Sequence, residues 1–239
     1  MHVLIFQHTA GEHAAAFGKH IKTAGDTSDV VRFFKNDPIP DLAAYDALLV
    51  LGGPMDVWET DENPWLIAEK QAIKTWVSDL KKPYLGICLG HQLLADALGG
   101  SCTRMEIPEI AISPVSHLPN ADTDPLLCAL PNDFHAMHWH GVEVTQPPES
   151  TVILASTPLC ANQAMRVGNN AWGFQFHPEL ERGTIPSWLT DAANRKCAED
   201  WLGSTAAADQ FAADSEFHVA GFLKRSAILY QAWRDISLR

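Results

Sequence analysis

The chain has 239 residues, 46% of them hydrophobic and 19% charged, and 17 Lys and Arg against 29 Asp and Glu leave a net charge of −12. That length fits one large domain with enough core to fold without disulfide or metal staples. An acidic balance argues against nucleic acid and anionic membrane as partners, since both need a basic footprint, and eight Trp with ten Phe exclude a disordered chain.

The first eight residues, Met1-His2-Val3-Leu4-Ile5-Phe6-Gln7-His8, form a short apolar run without a basic lead or cleavage site. They read as a first strand, not a signal peptide. No window approaches the eighteen or so apolar residues of a membrane span. The five cysteines (88, 102, 128, 160 and 197) are odd in number, scattered, and form no C-x-x-C pair. This favours a reducing compartment over a disulfide framework or a cysteine zinc site, and the expectation is a cytoplasmic protein.

In chain order, residues 3–8 predict a buried strand, and 11–24 a helix carrying Ala14, Ala15, Phe17 and Ile21 on one side. Residues 28–34, β-branched at Val30 and Val31, predict a second strand. Prolines 38 and 40 mark a loop, and 47–51 is a strand stopped by Gly52-Gly53-Pro54. Asn63-Pro64 reads as an N-cap followed by Pro at the first helical position, with helical spacing to about Leu80. A strand at 84–88 and a helix at 89–98, ended by Gly99-Gly100, complete an alternation that predicts an α/β fold: an open, mostly parallel sheet flanked by helices.

Beyond residue 100 the texture changes. Pieces at 107–115, 137–144, 152–156, 162–167 and 171–176 are short, strand-like and separated by Pro, Gly and Asn, which predicts an antiparallel strand-rich second half on the same core. From about Ile185 the chain is Ala-rich and helical, broken at Gly203-Ser204, with a last helix over 206–236. The expected organisation is a catalytic unit over 1–182 and a helical C-terminal extension over 183–239 packed on it.

Three segments carry chemistry. Gly86-Ile87-Cys88-Leu89-Gly90 has a nucleophile flanked by glycines at −2 and +2 between a strand and a helix. That is a nucleophile elbow, and it sets a thiolate at a helix N-terminus. Phe176-His177-Pro178-Glu179 follows another strand, and side chains at i and i+2 on a strand share a face, so Glu179 can orient His177 toward Cys88. Leu51-Gly52-Gly53-Pro54 ends a third strand. With the Leu89 amide, the Gly53 amide makes a natural oxyanion pair for acyl transfer. Each segment has an ordinary structural reading alone: a buried cysteine, a surface turn, a glycine turn. Together they predict a Cys88–His177–Glu179 triad.

Gly-Ile-Cys-Leu-Gly-His-Gln (86–92), Gly-Gly-Pro (52–54) and Phe-His-Pro-Glu (176–179) resemble, in order and spacing, the signature blocks of the class I, triad-type glutamine amidotransferases. The resemblance spans roughly 1–182 and implies their flavodoxin-like fold. Met137-His138-Trp139-His140-Gly141, with the stretches 155–157 and 162–164, bring the chain nearest to the amidotransferase domain of GMP synthase and its free-standing relatives. The resemblance implies that Cys88 attacks the carboxamide of glutamine, His177 relays the proton and Glu179 holds His177. It implies further that Gln92 hydrogen-bonds the substrate and that the backbone near Gly53, Met55, Gly141 and Val142 holds its amino-acid end. Val142 departs from the pattern by replacing the usual acidic residue after His-Gly, which puts a polar contact to the substrate ammonium in doubt.

No cofactor is expected. His135, His138, His140 and His177 invite a metal reading, but no acidic or Cys partner lies close in sequence and zinc would poison a catalytic thiolate, so a pocket wall is the better expectation. Glu109 fits either an acidic residue beside the site or a solvated strand end, and Asp56, Glu59, Asp61 and Glu62 read as a solvated loop. The 57 residues after the signature blocks are too few for a synthetase, and no phosphate-cradling G-x-x-x-x-G-K motif occurs. The chain is therefore expected either to dock on a separate ammonia-accepting synthetase subunit or to act alone. The alternatives to a glutaminase are a free-standing γ-glutamyl hydrolase or peptidase and, with the triad intact against it, a catalytically silent binding module.

Overall fold

The computed structural model describes residues 1–239. Nine strands form a single sheet. Its parallel half contains β1 (His2–Gln7), β2 (Thr27–Arg32), β3 (Ala47–Val50), β4 (Tyr84–Ile87) and β9 (Ala171–Phe174). Its antiparallel half adds β5 (Ser101–His117), β6 (Asp133–Gln146), β7 (Thr151–Ser156) and β8 (Ala164–Val167). The order across the sheet is β2-β1-β3-β4-β9-β8-β7-β5-β6.

The parallel strands are apolar on both faces because both are covered. Val3, Ile5, Ala47, Leu49, Leu85, Ile87, Trp172 and Phe174 turn to one side and pack with Phe17, Tyr230 and Trp233. Leu4, Phe6, Leu48, Val50, Tyr84 and Ala171 turn to the other and pack with Leu66, Ile73, Leu93 and Leu94. The first face is covered by α1 (Ala15–Thr23) and the C-terminal helix α6 (Thr205–Ser237), the second by α2 (Trp65–Lys74) and α3 (Leu89–Ala97). α2 runs on through a wider π-turn segment, Thr75–Leu80, so helical backbone reaches Leu80 as the sequence spacing predicts.

Several boundaries differ from the sequence reading. α1 begins at Ala15 instead of Gly11, and residues 33–35 leave the β2 ladder as a 3₁₀ turn capped by Asn36 in the left-handed region. The strand expected at 107–115 is 17 residues long, because its exposed first half still pairs with β6 through a register shift between Arg104 and Glu109. The C-terminal stretch is three helices. α4 (Thr184–Trp188) is followed by α5 (Ala192–Leu202), which Asp191 caps by accepting from the Ala193 and Asn194 amides. Gly203, at φ 89°, makes the break before α6, which Ser204 caps.

In α6, Phe211, Ser215, Val219, Phe222, Ser226, Leu229, Tyr230 and Trp233 recur at helical spacing and form its buried stripe. The end of this helix is tied to the first strand-helix unit. Asp26 accepts from Tyr230 Oη (2.8 Å), Arg234 Nε (2.7 Å) and the Met1 amino group (2.8 Å). No helix is long and apolar enough to cross a membrane.

Candidate active site

The C-terminal ends of the parallel strands carry the site, at the edge where an open α/β sheet offers its crevice. Cys88 sits between β4 and α3 with φ 51° and ψ −104°, a backbone state that side-chain-bearing residues rarely adopt. Its flanking glycines are required by contact. A Cβ on Gly86 would lie 2.5 Å from the Gly90 carbonyl oxygen, and one on Gly90 would lie 2.3 Å from the Val50 carbonyl oxygen. The turn is therefore pressed against β3, and the Cys88 amide bonds the Phe174 carbonyl of β9 at 2.8 Å.

His177 and Glu179 lie beyond the end of β9, in a turn and not on the strand as their i, i+2 spacing suggested. Pro178 between them has no N–H to extend a ladder. The side chains still meet: His177 Nδ1 is 2.7 Å from Glu179 Oε1, and both residues are buried. The His177 amide bonds the Met137 carbonyl at 3.0 Å, which fixes the turn to β6. Burial opposes charge on His177, but the Glu179 carboxylate and the hydrogen-bonded Cys88 sulfur outweigh it and hold its pKa well above the usual value. That is the electrostatic setting of a thiolate–imidazolium pair. Gln175 Nε2 also donates to Cys88 Sγ at 3.7 Å.

Leu89 is the first residue of α3, so its amide has no intrahelical partner, and the Gly53 amide has no backbone partner. Gly53, Met55, Gln92, Gly141 and Val142 line one pocket of about 520 Å³ together with Cys88 and His177. Gln92 is buried, and its amide nitrogen donates to the Val142 carbonyl and to Gln175 Oε1, both at 3.2 Å. Its protons are thus used to hold β6, and only its Oε1 is left for a substrate.

Other residues of the pocket come without a local sequence signal. Glu12, in the turn before α1, leans over the centre: a Cβ added to Gly52 would meet Glu12 Oε2, with His177 Cε1 at 3.2 Å and Cys88 Cβ at 3.6 Å. Burial raises the Glu12 pKa, and Glu179 adds to this while His177 and His8 oppose it. Asp56 and Glu59 line the pocket too, correcting their reading as solvated loop, and Asp56 pairs with Arg104 at 2.8 Å on the rim. The mouth is closed on one side by the C-terminal helices through Trp188, Asn194, Cys197 and Trp201. Trp201 lies close enough to Gly141 that a Cβ there would meet its ring at 2.7 Å.

Glu109 is neither at the catalytic centre nor solvated. It is buried beside His138 and His140, so the histidines do have an acidic partner that their sequence neighbourhood lacks. Its Oε2 faces His140 Nε2 (3.2 Å), Thr157 Oγ1 (3.2 Å) and Gln163 Nε2 (2.7 Å), and these contacts account for the carboxylate without an ion. His138 is pushed down to about 4, chiefly by burial, which keeps its ring neutral. Through His140 Nδ1, 3.1 Å from the Val142 carbonyl, the cluster braces the pocket wall from behind.

Comparison with known proteins fits this geometry. Residues 16–193 match the family model for glutamine amidotransferase class-I. Over 177 residues the chain is 33% identical to a subunit of the glutamine-hydrolyzing GMP synthase of Saccharolobus solfataricus, covering 72% of this chain and 88% of that one. It is 34% identical over 186 residues to the glutamine-hydrolyzing GMP synthase of Aeropyrum pernix, covering 75% of this chain but only 34% of that longer protein. A crystal structure of a glutamine amidotransferase from Thermotoga maritima superposes with a TM-score of 0.82 at 26% identity, covering 98% of both chains. With the elbow, the neighbouring histidine and the matched family model in register, the chain belongs to the class I glutamine amidotransferases and is similar to the free-standing subunits of glutamine-hydrolyzing GMP synthases.

Proposed function

We propose that this protein is a glutaminase of the amidotransferase type, converting glutamine to glutamate and ammonia through a γ-glutamyl thioester on Cys88. One observation carries the reading: His177 is wedged between Glu179 and Cys88, with its charge favoured by both. The Cys88 thiolate attacks the side-chain carbonyl carbon, and the Gly53 and Leu89 amides receive the oxyanion. The imidazolium of His177 gives its proton to the leaving nitrogen, and ammonia departs as the thioester forms. His177, now neutral, takes a proton from water, whose oxygen attacks the thioester and releases glutamate and the thiolate. Glu179 keeps the His177 ring oriented and stabilises its charged form throughout. Side chains and backbone amides supply the whole sequence, so no cofactor is needed.

Two of this chain's features favour a second reading, hydrolysis of larger γ-glutamyl compounds. The pocket of about 520 Å³ is larger than a glutamine needs, and its outer wall carries Trp188 and Trp201. The ammonia produced from glutamine would serve a separate synthetase subunit docked at this mouth. Release from a γ-glutamyl compound would need no partner.

Acid-quenched mass spectrometry of the purified protein tests both. With glutamine, a γ-glutamyl adduct is expected on the peptide carrying Cys88. Its absence with glutamine but appearance with γ-glutamyl dipeptides or a γ-glutamyl anilide would move the assignment to the second reading. Absence with all of them would refute the thioester.

A further inference from the structure

Behind the glycine turn lies a buried pair that the chemistry above does not use. His8 directly follows β1 and Glu69 lies on α2, and both are fully buried. His8 Nε2 is 2.9 Å from Glu69 Oε1, and His8 Nδ1 is 2.7 Å from the Gly52 carbonyl oxygen. The ring is stacked between Phe33 and Trp65, at centroid distances of 5.8 and 5.5 Å, so it has little freedom to turn. A carbonyl only accepts, so Nδ1 carries a proton and donates it to Gly52. On the other side, Nε2 faces a carboxylate oxygen, and a proton shared between them completes the contact. Burial opposes charge on His8, but Glu69 outweighs it and raises the pKa of the ring.

Peptide geometry gives this contact a consequence for the site. The chain has no cis peptide bond, and across a planar trans peptide the carbonyl of one residue and the N–H of the next point in opposite directions. Drawing the Gly52 carbonyl toward His8 therefore aims the Gly53 N–H away from His8, to the side where the pocket and Cys88 lie. Two successive glycines would otherwise let this peptide rotate, because neither residue resists a change in the sign of φ.

We propose that His8 and Glu69 are positioning residues of the oxyanion hole: the His8 ring, anchored by Glu69, locks the Gly52–Gly53 peptide with its N–H facing Cys88. The inference rests on the reading of Gly53 as an oxyanion donor. It makes α2, on the far side of the sheet from Glu179, a contributor to catalysis through Glu69.

The test uses amide isosteres of the two ring nitrogens. Asparagine sets its amide nitrogen where Nδ1 stood and keeps the bond to Gly52, whereas glutamine reaches the Nε2 position and keeps only the bond to Glu69. Crystal structures of His8→Gln and His8→Phe are expected with the 52–53 peptide rotated and its N–H off the Cys88 side, and His8→Asn with it unchanged. Loss of one oxyanion donor lowers kcat for glutamine by about 100-fold in His8→Gln and His8→Phe, with KM moved by less than about threefold. His8→Asn is expected to retain most of the rate. Alkylation of Cys88 by iodoacetamide develops no oxyanion, so it is expected at the wild-type rate in all three and reports an intact site. A peptide that stays in place in both His8→Gln and His8→Phe overturns the proposal, as does equal loss of kcat in His8→Asn and His8→Gln with alkylation intact. Should the wild type release no glutamate from glutamine, the glutaminase reading fails separately, and the orientation of the 52–53 peptide in the variants still decides the role of His8.

Discussion

At Cys88 the backbone is held at φ 51°, a state that costs of the order of 1–3 kcal/mol for a residue with a side chain and survives only where its surroundings impose it. The imposing contacts are the missing Cβ atoms of Gly86 and Gly90, which let the turn press against β3 and α3. Gly90→Ala would drive a methyl into the Val50 carbonyl, so loss of soluble folded protein is the expected outcome on expression. Across the pocket, Glu179 does for His177 what geometry does for Cys88. Glu179→Gln keeps the shape but removes the largest influence favouring the imidazolium. The pKa of His177 then falls, fewer rings are charged at neutral pH, and the thiolate loses its partner. Glutaminase kcat is expected to drop by about 10²–10⁴-fold, and Cys88 alkylation by iodoacetamide at pH 7 to slow. An unchanged alkylation rate would contradict the ion-pair account. These three residues were legible in the sequence because each sits inside a local motif whose spacing has a physical meaning. Glu12, His8, Glu69 and Arg104 were not, because each is brought to the site by long-range strand order and no neighbouring residue announces it.

Among the elements, α5 has the clearest functional consequence. Its Trp201 rests on Gly141 of β6, and Gly141 borders the substrate pocket. Gly141→Ala forces the indole aside, which is expected to raise KM for glutamine several-fold, and pairing it with Trp201→Ala restores room and is expected to restore KM. Additive effects in that double-mutant cycle would show that the contact does not shape the pocket. The sequence identified α5 and α6 as helices from their composition and the Gly203 break. It did not place α5 at the pocket mouth, because amphipathic spacing says which face of a helix is buried and nothing about what it is buried against. The strands illustrate the same limit. Parallel strands buried on both faces were easily read as apolar runs, whereas the exposed half of β5 lacks that signal and is held by pairing with β6 alone.

On the scale of the whole molecule, the end of α6 and the beginning of the chain share one buried carboxylate. Burial alone would raise the pKa of Asp26, but hydrogen bonds from Arg234, the Met1 amino group and Tyr230 hold it down from 3.8 to about 2. A depressed folded-state pKa stabilises the protein above the unfolded value. That contribution, about 2 kcal/mol, is complete above roughly pH 5 and is lost as pH falls through 3.8 toward 2. Urea unfolding of wild type and Asp26→Asn at several pH values is expected to show their stability gap narrowing by that amount between about pH 5 and 2, and a constant gap would contradict the assignment. The net charge of −12 argues against nucleic acid as a partner and does not name one. The pocket mouth, walled by this chain's own Trp188 and Trp201, is where any synthetase subunit would have to dock. The central claim is that Cys88 turns over glutamine, and the direct measurement is glutamate and ammonia release from glutamine by the purified wild type beside Cys88→Ala. Equal amounts of the two products from the wild type and none from the variant are expected; the same release from both proteins would contradict the account.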